Sequence, residues 1–451
     1  MNELLAEAAA RAAKYLAGAE SRRVAPSVED VARLESLGGP LPRDGSEPSE
    51  VLALLDDIGS PATVTTTGAR YFGFVIGGVL PAALAANWLA GAWDQNAGLS
   101  VTSPVSAKVE EILLAWMVDL FGLPASCGGG FVTGTTMANF SALAAARTAL
   151  LERAGWDVEE KGLFEAPPIR VVVGEEVHVS LLKALALLGL GRSRVTRVPT
   201  DSQGRIKADQ FPFSQIDERT IVCLQAGNVN TGASDPAKDI CPRAKEAGAW
   251  VHVDGAFGMW AAVSPHYSHL VEGFAAADSW AIDCHKWLNV PYDSGVALVR
   301  RAEDLRRACA LSAAYLQTAE VREPCHYTPE VSRRARGIEL WAAMRSLGRD
   351  GLRELIERNC RLAKLFADRL RAAGFEILND VVLNQVLVSF GGPDKTQRIV
   401  AAVQKEGTCW CGGTAWHGRA AMRISVSSWD TTEEDVERSV EAIIRIANSA
   451  A

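Results

Sequence analysis

One lysine stands in a setting that is unusual for a lysine. Lys286 lies in the run DSWAIDCHKWLNVPYDSG, from Asp278 to Gly295, with an apolar stretch before it and Trp287 and Leu288 directly after it. Apolar surroundings remove the hydration that favours a charged ammonium, so such a lysine suits covalent bonding to an aldehyde as a Schiff base. The alternative is a half-buried lysine whose amine reaches solvent from the edge of a core.

A glycine and two threonines precede a long helical pattern elsewhere in the chain. Gly134, Thr135 and Thr136 stand in FVTGTTMANFSALAAAR, after a short β-rich run. The backbone N–H groups and the dipole of a helix start, together with two hydroxyl groups, are suited to binding a phosphate. An ordinary threonine helix cap is the alternative.

Two more polar residues follow predicted strands. His178 comes after VVVGEEV, and Asp254 comes after WVHV. The imidazole could stack on a ring and hydrogen-bond a carboxylate, or it could be a structural histidine. The carboxylate could hold a protonated ring nitrogen, since Gly255 and Ala256 leave space for a flat group, or it could be a metal ligand or a helix cap.

The four features occur in an order that matches one cofactor. A phosphate cradle, a histidine near a ring, an acidic partner for a ring nitrogen and a Schiff-base lysine are together what pyridoxal 5'-phosphate requires. Each feature alone is weak, but the ordered set predicts an enzyme that uses this cofactor.

The elements that position these residues alternate along the chain. From about residue 106, helical patterns alternate with short β-rich runs, which predicts an α/β domain with a mostly parallel sheet buried on both faces. Ligands bind at the carboxyl ends of the strands in such sheets. We expect an N-terminal helical arm at 1–90, a large cofactor-binding domain at 91–349 and a small α+β domain at 350–451, with strands at FEILN, VLVSF and MRISVS.

Composition excludes several classes of protein. The 54 acidic and 46 basic residues give a net charge of -8 without long blocks of one sign, which argues against a nucleic-acid partner. No apolar stretch is long enough for a membrane span, and the N-terminus lacks the basic start of a signal peptide. Nine scattered cysteines without repeated CxxC spacing predict no metal site and favour a reducing, cytoplasmic location.

On these motifs the chain resembles the group II pyridoxal-phosphate-dependent decarboxylases of the aspartate-aminotransferase superfold (PLP fold type I). That family includes the aromatic-L-amino-acid and glutamate decarboxylases. The resemblance extends from GARYFGFVIGG through SPVSAKVEEILLAWMVDLFGLP and HKWLNVPYDSG to RISVSSWDTTEEDV. It implies decarboxylation of an L-amino acid, with an aromatic side chain favoured, to an amine and carbon dioxide. An aldehyde-forming oxidative deaminase, a carbon-carbon lyase, a decarboxylase of an acidic amino acid and a non-catalytic binding protein remain as alternatives.

The resemblance implies a role for each residue around the cofactor ring. Lys286 would form the Schiff base, and Asp254 would pair with the ring nitrogen. Ala256 would lie against one ring face and His178 against the other, where the histidine would also act in catalysis near the substrate carboxylate.

The same resemblance implies a phosphate site. Thr135 and Thr136 would bind the phosphate with help from His285 and Asp283. Asp283 is a departure, since aromatic-amino-acid decarboxylases commonly have an amide near this position, and an acid there needs a compensating partner.

A catalytic tyrosine and a shared site are also implied. Tyr315, in LSAAYLQTAE, matches a family tyrosine on a loop that closes over the neighbouring subunit's site and takes part in protonating the substrate. The chain is therefore expected to form a homodimer with shared active sites and to favour amine over aldehyde as its product. A core tyrosine at the end of a helix is the alternative.

The substrate pocket is less defined by sequence. Phe74 and Val75 correspond to a family pocket segment and predict an apolar wall for the substrate side chain. No basic residue is clearly dedicated to a second substrate carboxylate. Arg336, Arg419 and Arg423 are expected to form ion pairs at domain or subunit surfaces, and the alternative is that one of them lies near the site.

Overall fold

Two β-sheets organise the chain, and helices connect or cover their strands. The structure is a computed structural model that describes residues 1–310 and 322–449. The helices are α1 (Asn2–Gly18), α2 (Val28–Arg33), α3 (Pro48–Gly59), α4 (Pro81–Trp93), α5 (Pro104–Leu120), α6 (Thr135–Arg153), α7 (Val158–Lys161), α8 (Val179–Leu187), α9 (Ala237–Glu246), α10 (Ala302–Cys309), α11 (Gly337–Ala372), α12 (Pro393–Glu406) and α13 (Glu433–Ser449). The strands are β1 (Tyr71–Phe72), β2 (Gly128–Val132), β3 (Arg170–Gly174), β4 (Thr196–Val198), β5 (Thr220–Gln225), β6 (Trp250–Asp254), β7 (Ser279–Asp283), β8 (Gly295–Val299), β9 (Glu376–Ile377), β10 (Gln385–Ser389), β11 (Trp410–Trp416) and β12 (Arg419–Ser425).

The larger sheet has seven strands in the order β2-β8-β7-β6-β5-β3-β4. The strands from β7 to β4 in this order are mutually parallel, whereas β8 runs antiparallel to both of its neighbours. This arrangement confirms the predicted α/β fold with a mostly parallel sheet. The carboxyl ends of β6 and β7 lie side by side, which brings the segments after Asp254 and Asp283 to one edge of the sheet.

Helix α6 lies close against the larger sheet because its inner face consists of small residues. Ala138, Ala142 and Ala145 are fully buried, and Ala138 packs with Ala281 on β7 and Ala297 on β8. Small side chains allow the helix backbone to approach the sheet. As a result the first turn of α6 is fixed directly beside the ends of β6 and β7.

The smaller sheet has five strands in the order β1-β11-β12-β10-β9. Its edge strand β1 comes from the segment predicted as part of the arm, and Tyr71 and Phe72 pair in parallel with Trp410 and Cys411. The N-terminal segment is thus joined to the C-terminal sheet. Strand β11 was not among the predicted strands.

Helix α11 connects the two sheets. It contains a kink at Gly348, where φ is 61° and ψ is -175°, next to the predicted domain boundary at 349–350. Before the kink Leu340 packs in the core of the larger sheet, and near the C-terminal end Phe366 packs in the core of the smaller one.

The N-terminal helices leave apolar side chains uncovered. Neither α1 nor α3 has a fully buried residue, and Leu5, Leu54 and Leu55 each expose more than half of their surface.

Across the described part of the chain, no helix combines the length and apolar character that a bilayer crossing requires.

We predict that Phe366→Ala lowers the free energy of unfolding by about 3–5 kcal/mol, because a buried phenyl ring is replaced by a cavity. Phe366 has no exposed surface, and its ring centre lies 4.9 Å from that of Phe72 in an edge-to-face contact. Urea unfolding measures the change. Phe164→Ala is the control, since Phe164 is 91% exposed and its removal should cost less than about 0.5 kcal/mol. Equal effects of the two variants would contradict the described packing.

Candidate active site

Lys286 lies in the turn that follows β7. Its amine Nζ is 2.9 Å from Oδ2 of Asp283, and the lysine side chain is 20% exposed. Trp287 and Leu288 are buried directly after it. The lysine is therefore held at the carboxyl edge of the larger sheet with one carboxylate partner and limited access to solvent.

The turn that carries Lys286 is bonded to distant parts of the chain. Asn289 donates from Nδ2 to the carbonyl of Ser427 at 2.9 Å, and its own carbonyl accepts from the Leu80 N–H at 2.8 Å. Gly77 packs directly on the turn, since a Cβ at that position would lie 2.0 Å from the carbonyl oxygen of Lys286. The turn, the segment near residue 77 and the C-terminal sheet are thus fixed together.

Asp283 has the partners that an acid in this position needs. Its Oδ1 accepts from the Thr135 N–H at 2.6 Å and lies 3.4 Å from Nε2 of His285. Burial by itself would raise the pKa of Asp283, but the charge of Lys286, the neighbouring His285 and the Thr135 bond together lower that pKa. Asp283 is therefore a carboxylate bonded to both Lys286 and the start of α6.

His285 presents one ring nitrogen to the same place. Its Nδ1 accepts from the Ser294 N–H at 3.1 Å, and its ring stacks on Tyr292 with 4.3 Å between the ring centres. Burial lowers the pKa of His285, which favours the neutral imidazole. Because Nδ1 is an acceptor, the proton resides on Nε2, and the ring lies beside Gly134 at the start of α6.

The start of α6 has the features of a phosphate site. The hydroxyl oxygen of Thr135 is buried and has no hydrogen-bond partner within residues 1–310 and 322–449, and Thr136 follows it in the first turn. Gly134 leaves the space open, since a Cβ there would lie 2.8 Å from the His285 ring and 3.1 Å from Oδ1 of Asp283. A phosphate oxygen would supply the missing partner of Thr135.

His178 caps the N-terminus of α8. Its Nδ1 accepts from the Ser180 N–H at 3.3 Å and lies 2.7 Å from the Ser180 hydroxyl oxygen, which places the ring proton on Nε2. Burial lowers the pKa of His178 more than the nearby Asp254 raises it, and the positive charge of Lys286 adds to the lowering. The histidine is therefore neutral and near both predicted partners of the cofactor ring.

Asp254 is buried at the end of β6. Its Oδ1 accepts from the Ala256 N–H at 3.3 Å, and its Oδ2 accepts from Nδ2 of Asn139 at 3.2 Å. Ala256 in turn accepts at its carbonyl from the Asp283 N–H, which ties the ends of β6 and β7 together. The structure thus brings Thr135, His178, Asp254, Asp283 and Lys286 to one sheet edge.

Phe74 and Val75 occupy different environments. Phe74 is 60% exposed, and its ring stacks on Trp410 with 5.5 Å between the ring centres. Val75 has no exposed surface and packs in the core of the larger sheet. The expectation that Val75 lines the substrate pocket is therefore corrected. A side chain with no exposed surface cannot contact a substrate, and Val75 instead packs in the core beneath the segment that carries Phe74.

Two of the three arginines have the carboxylate partners that were expected. Arg419 pairs with Glu376 on the surface of the smaller sheet, with 2.8 Å between Nη1 and Oε1. Arg336 donates from Nε to Oδ1 of Asp293 at 2.7 Å.

Arg423 departs from that expectation. It is half-buried, its one side-chain hydrogen bond is a long one of 3.4 Å to Oδ1 of Asn230, and among the described residues it has no carboxylate partner. Partial burial lowers the pKa of Arg423, and its charge acts on both His178 and Tyr71. Within the described residues the structure thus adds a half-buried positive charge without a carboxylate partner to the site.

Two aromatic residues form a wall with Phe74, and sequence patterns gave no reason to single them out. Trp410 stacks on Phe74, and Tyr71 stacks on Trp410 with 5.1 Å between ring centres. Burial raises the pKa of Tyr71 to about 12 although Arg423 acts in the opposite direction. Strand pairing between β1 and β11, which no local pattern signals, assembles this aromatic wall of Tyr71, Phe74 and Trp410.

Tyr315 lies outside the described residues, and its predicted role stays a prediction.

Comparison with known proteins identifies the family. Residues 46–391 match the pyridoxal-dependent decarboxylase conserved domain, which is more than half of the chain. The chain belongs to the pyridoxal-dependent decarboxylase family. As a member of that family it is a pyridoxal-phosphate-dependent amino-acid decarboxylase, which confirms the predicted enzyme class and cofactor.

Characterised members of the family differ in substrate. The chain is 26% identical to an aromatic-L-amino-acid decarboxylase of Bacillus atrophaeus over 76% of its own length and 72% of the relative's. It is 30% identical to an acidic amino acid decarboxylase of Xenopus tropicalis over 74% of its own length and 67% of the relative's. The crystal structure of Oryza sativa TDC with PLP and tryptamine shares the fold, with a TM-score of 0.91, 24% identity and coverage of 99% and 97% of the two chains.

The decarboxylase site fits its cofactor. The unpartnered Thr135 hydroxyl, the Nε2 donor of His285 and the open space at Gly134 suit the phosphate. The amine of Lys286 and the buried carboxylate of Asp254 suit the aldehyde carbon and the ring nitrogen.

We predict that Gly134→Ala weakens binding of pyridoxal 5'-phosphate by roughly tenfold or more, because the added methyl group displaces the His285 ring and narrows the phosphate site. Fluorescence titration with the cofactor measures the dissociation constant. Gly45→Ala is the control, since a Cβ there meets no atom within 4 Å. If the two variants bind the cofactor equally well, the phosphate lies elsewhere.

Proposed function

We propose that the chain removes the α-carboxyl group of an L-amino acid with an aromatic side chain, releasing the amine and carbon dioxide. The single observation that supports this proposal is Arg423, a half-buried arginine without a carboxylate partner in the described chain, close to Tyr71 of the aromatic wall and to His178. A desolvated guanidinium without a counter-charge is suited to a substrate carboxylate.

The cofactor residues have distinct roles in this proposal. Pyridoxal 5'-phosphate, when bound, accepts the electron pair of the bond that breaks at the substrate Cα. Lys286 would hold the aldehyde carbon, Asp254 would hold the ring nitrogen in its protonated form, and Ala256 would leave room for the ring. His178 would lie against the opposite face, where its Nε2 proton would be available to the substrate.

The phosphate anchors the cofactor in the same proposal. Thr135 and Thr136 donate hydroxyl hydrogen bonds, and His285 donates from Nε2. Asp283 binds Lys286 and the Thr135 N–H instead of the phosphate, which explains how an acid can stand at this position.

The substrate is held at two points. Arg423 orients the carboxylate that leaves, and the stacked rings of Phe74, Trp410 and Tyr71 contact the side chain. The same arginine also suits a carboxylate on the substrate side chain. Decarboxylation of an acidic amino acid is therefore the second candidate, and the Xenopus tropicalis relative has a name of that kind.

The proton that replaces carbon dioxide is proposed to come from Tyr315, with His178 nearby. If this proton transfer failed, oxygen could oxidise the substrate to an aldehyde with release of ammonia, carbon dioxide and hydrogen peroxide. Product analysis distinguishes the amine from the aldehyde and from the products of a carbon-carbon lyase.

The protein is proposed to act as a homodimer with shared active sites, in which Tyr315 of one subunit serves the site of the other. Exposed apolar residues on α1, α3 and α4 support this proposal, because an uncovered apolar surface of this kind is suited to a partner subunit. The residues are Leu5, Leu54, Leu55, Trp88 and Trp93.

We predict that the cofactor-loaded protein releases carbon dioxide and an equal amount of amine from aromatic L-amino acids in a screen of amino acids. Lys286→Ala should abolish both products, whereas Lys183→Ala, at an exposed position, should retain them. Release from acidic amino acids alone would replace the first candidate with the second. Aldehyde and hydrogen peroxide as main products, or no release from any amino acid, would contradict both.

We predict that Arg423→Met lowers kcat/KM by roughly 10- to 100-fold, because a charge-assisted hydrogen bond to the substrate carboxylate is lost. Cofactor absorbance should be retained, which separates a substrate defect from a damaged site. Arg419→Met is the matched control on the same strand, and its kcat/KM should stay near the wild-type value. Equal kinetics for the two variants would remove Arg423 from substrate binding.

A further inference from the structure

A continuous row of buried hydrogen bonds ends at Asp254. It begins at Trp250 on β6 and passes through Ser279 on β7, His252 on β6 and Asn139 on α6. Trp250, His252 and Asp254 alternate along β6 and so lie on the same face of the strand. Each of the five side chains is at most 5% exposed.

The direction of every bond in this row is fixed. The indole Nε1 of Trp250 can only donate, and it lies 2.9 Å from the Ser279 hydroxyl oxygen. The Ser279 hydroxyl proton is then free for Nδ1 of His252, at 2.9 Å. A neutral imidazole that accepts at Nδ1 carries its proton on Nε2, which donates to Oδ1 of Asn139 at 2.8 Å.

The last bond follows from the others. Since Oδ1 of Asn139 accepts from His252, its Nδ2 faces Asp254, and it donates to Oδ2 at 3.2 Å. The carboxylate of Asp254 can only accept a hydrogen bond, and the indole of Trp250 can only donate one. Both therefore require that the bonds run from Trp250 to Asp254, and only one arrangement of the protons satisfies this.

The middle residue keeps one proton over the physiological range. Burial lowers the pKa of His252 to about 3, so the imidazole stays neutral at the pH where the enzyme works. The direction of the hydrogen bonds from Trp250 to Asp254 requires a neutral His252 ring. A doubly protonated ring would have no nitrogen left to accept the Ser279 hydroxyl proton.

We propose that Ser279, His252 and Asn139 are positioning residues that orient Asp254, and thereby set how firmly Asp254 holds the protonated ring nitrogen of the cofactor. A donor fixed by its own hydrogen bonds holds the carboxylate in one orientation, which keeps that carboxylate available to the ligand. This inference rests on the proposed pairing of Asp254 with the ring nitrogen.

The test measures the ring nitrogen itself. Protein loaded with pyridoxal 5'-phosphate labelled with nitrogen-15 in the ring reports protonation of that nitrogen by its NMR chemical shift. His252→Leu removes the donor to Asn139, and Asn139→Asp replaces the donor to Asp254 with a second carboxylate of the same shape. Both should move the shift toward the unprotonated position and weaken cofactor binding by roughly tenfold or more.

Conservative variants separate this role from simple packing. His252→Gln keeps one donor and one acceptor and should retain most of the wild-type shift. Thermal unfolding shows whether each variant is folded. Ser279→Ala is the smallest change, and it remains available as the test if the other variants fail to fold. It should move the shift in the same direction by a smaller amount.

Two negative outcomes can be distinguished. A wild-type shift in His252→Leu, Asn139→Asp and Ser279→Ala, together with a moved shift in Asp254→Asn, would overturn the role of the row and leave the Asp254 pairing intact. A wild-type shift in Asp254→Asn as well would overturn the pairing of Asp254 with the ring nitrogen, and the proposed role of the three positioning residues would then also be wrong.

Discussion

A buried pair of opposite charges at the carboxyl edge of the larger sheet governs the arrangement of this enzyme. The amine of Lys286 lies 2.9 Å from Oδ2 of Asp283, whose side chain is only 3% exposed. Removing both charges from water is costly unless additional hydrogen bonds complete their solvation. The first N–H of α6, from Thr135, donates such a bond to Asp283, and the His285 ring lies beside the same carboxylate, so the helix, the strand and the turn must all meet at this point.

The same point also connects distant parts of the chain. Gly77 lies against the Lys286 carbonyl, and Asn289 bonds to Ser427 beside the smaller sheet. The pairing of β1 with β11 then places Trp410 and Phe74 next to one another. The aromatic wall proposed to contact the substrate side chain is consequently built from segments more than 300 residues apart in sequence.

Local sequence patterns were sufficient to predict the sheet and the residues that follow its strands. Lys286, Thr135 and Asp254 could be found because strand ends are marked by a change from apolar to polar residues, and parallel strands bring such ends together. The aromatic wall could not be found in this way. Gly412 and Gly413 interrupt the apolar pattern of β11, and the position of Arg423 depends on long-range strand pairing. Val75 was predicted to line the pocket because its segment corresponds to a family pocket segment, but the backbone at Phe74 and Val75, with φ of 50° and 60°, directs the Val75 side chain into the core.

Borohydride reduction tests whether the cofactor is covalently attached to Lys286. The protein is saturated with pyridoxal 5'-phosphate, reduced so that the cofactor is trapped on the amine that holds it, digested and mapped by mass spectrometry. We expect the added mass on the peptide containing Lys286, at one cofactor per chain. Modification of a different lysine, or an unmodified Lys286 at saturation, would show that Lys286 does not hold the cofactor.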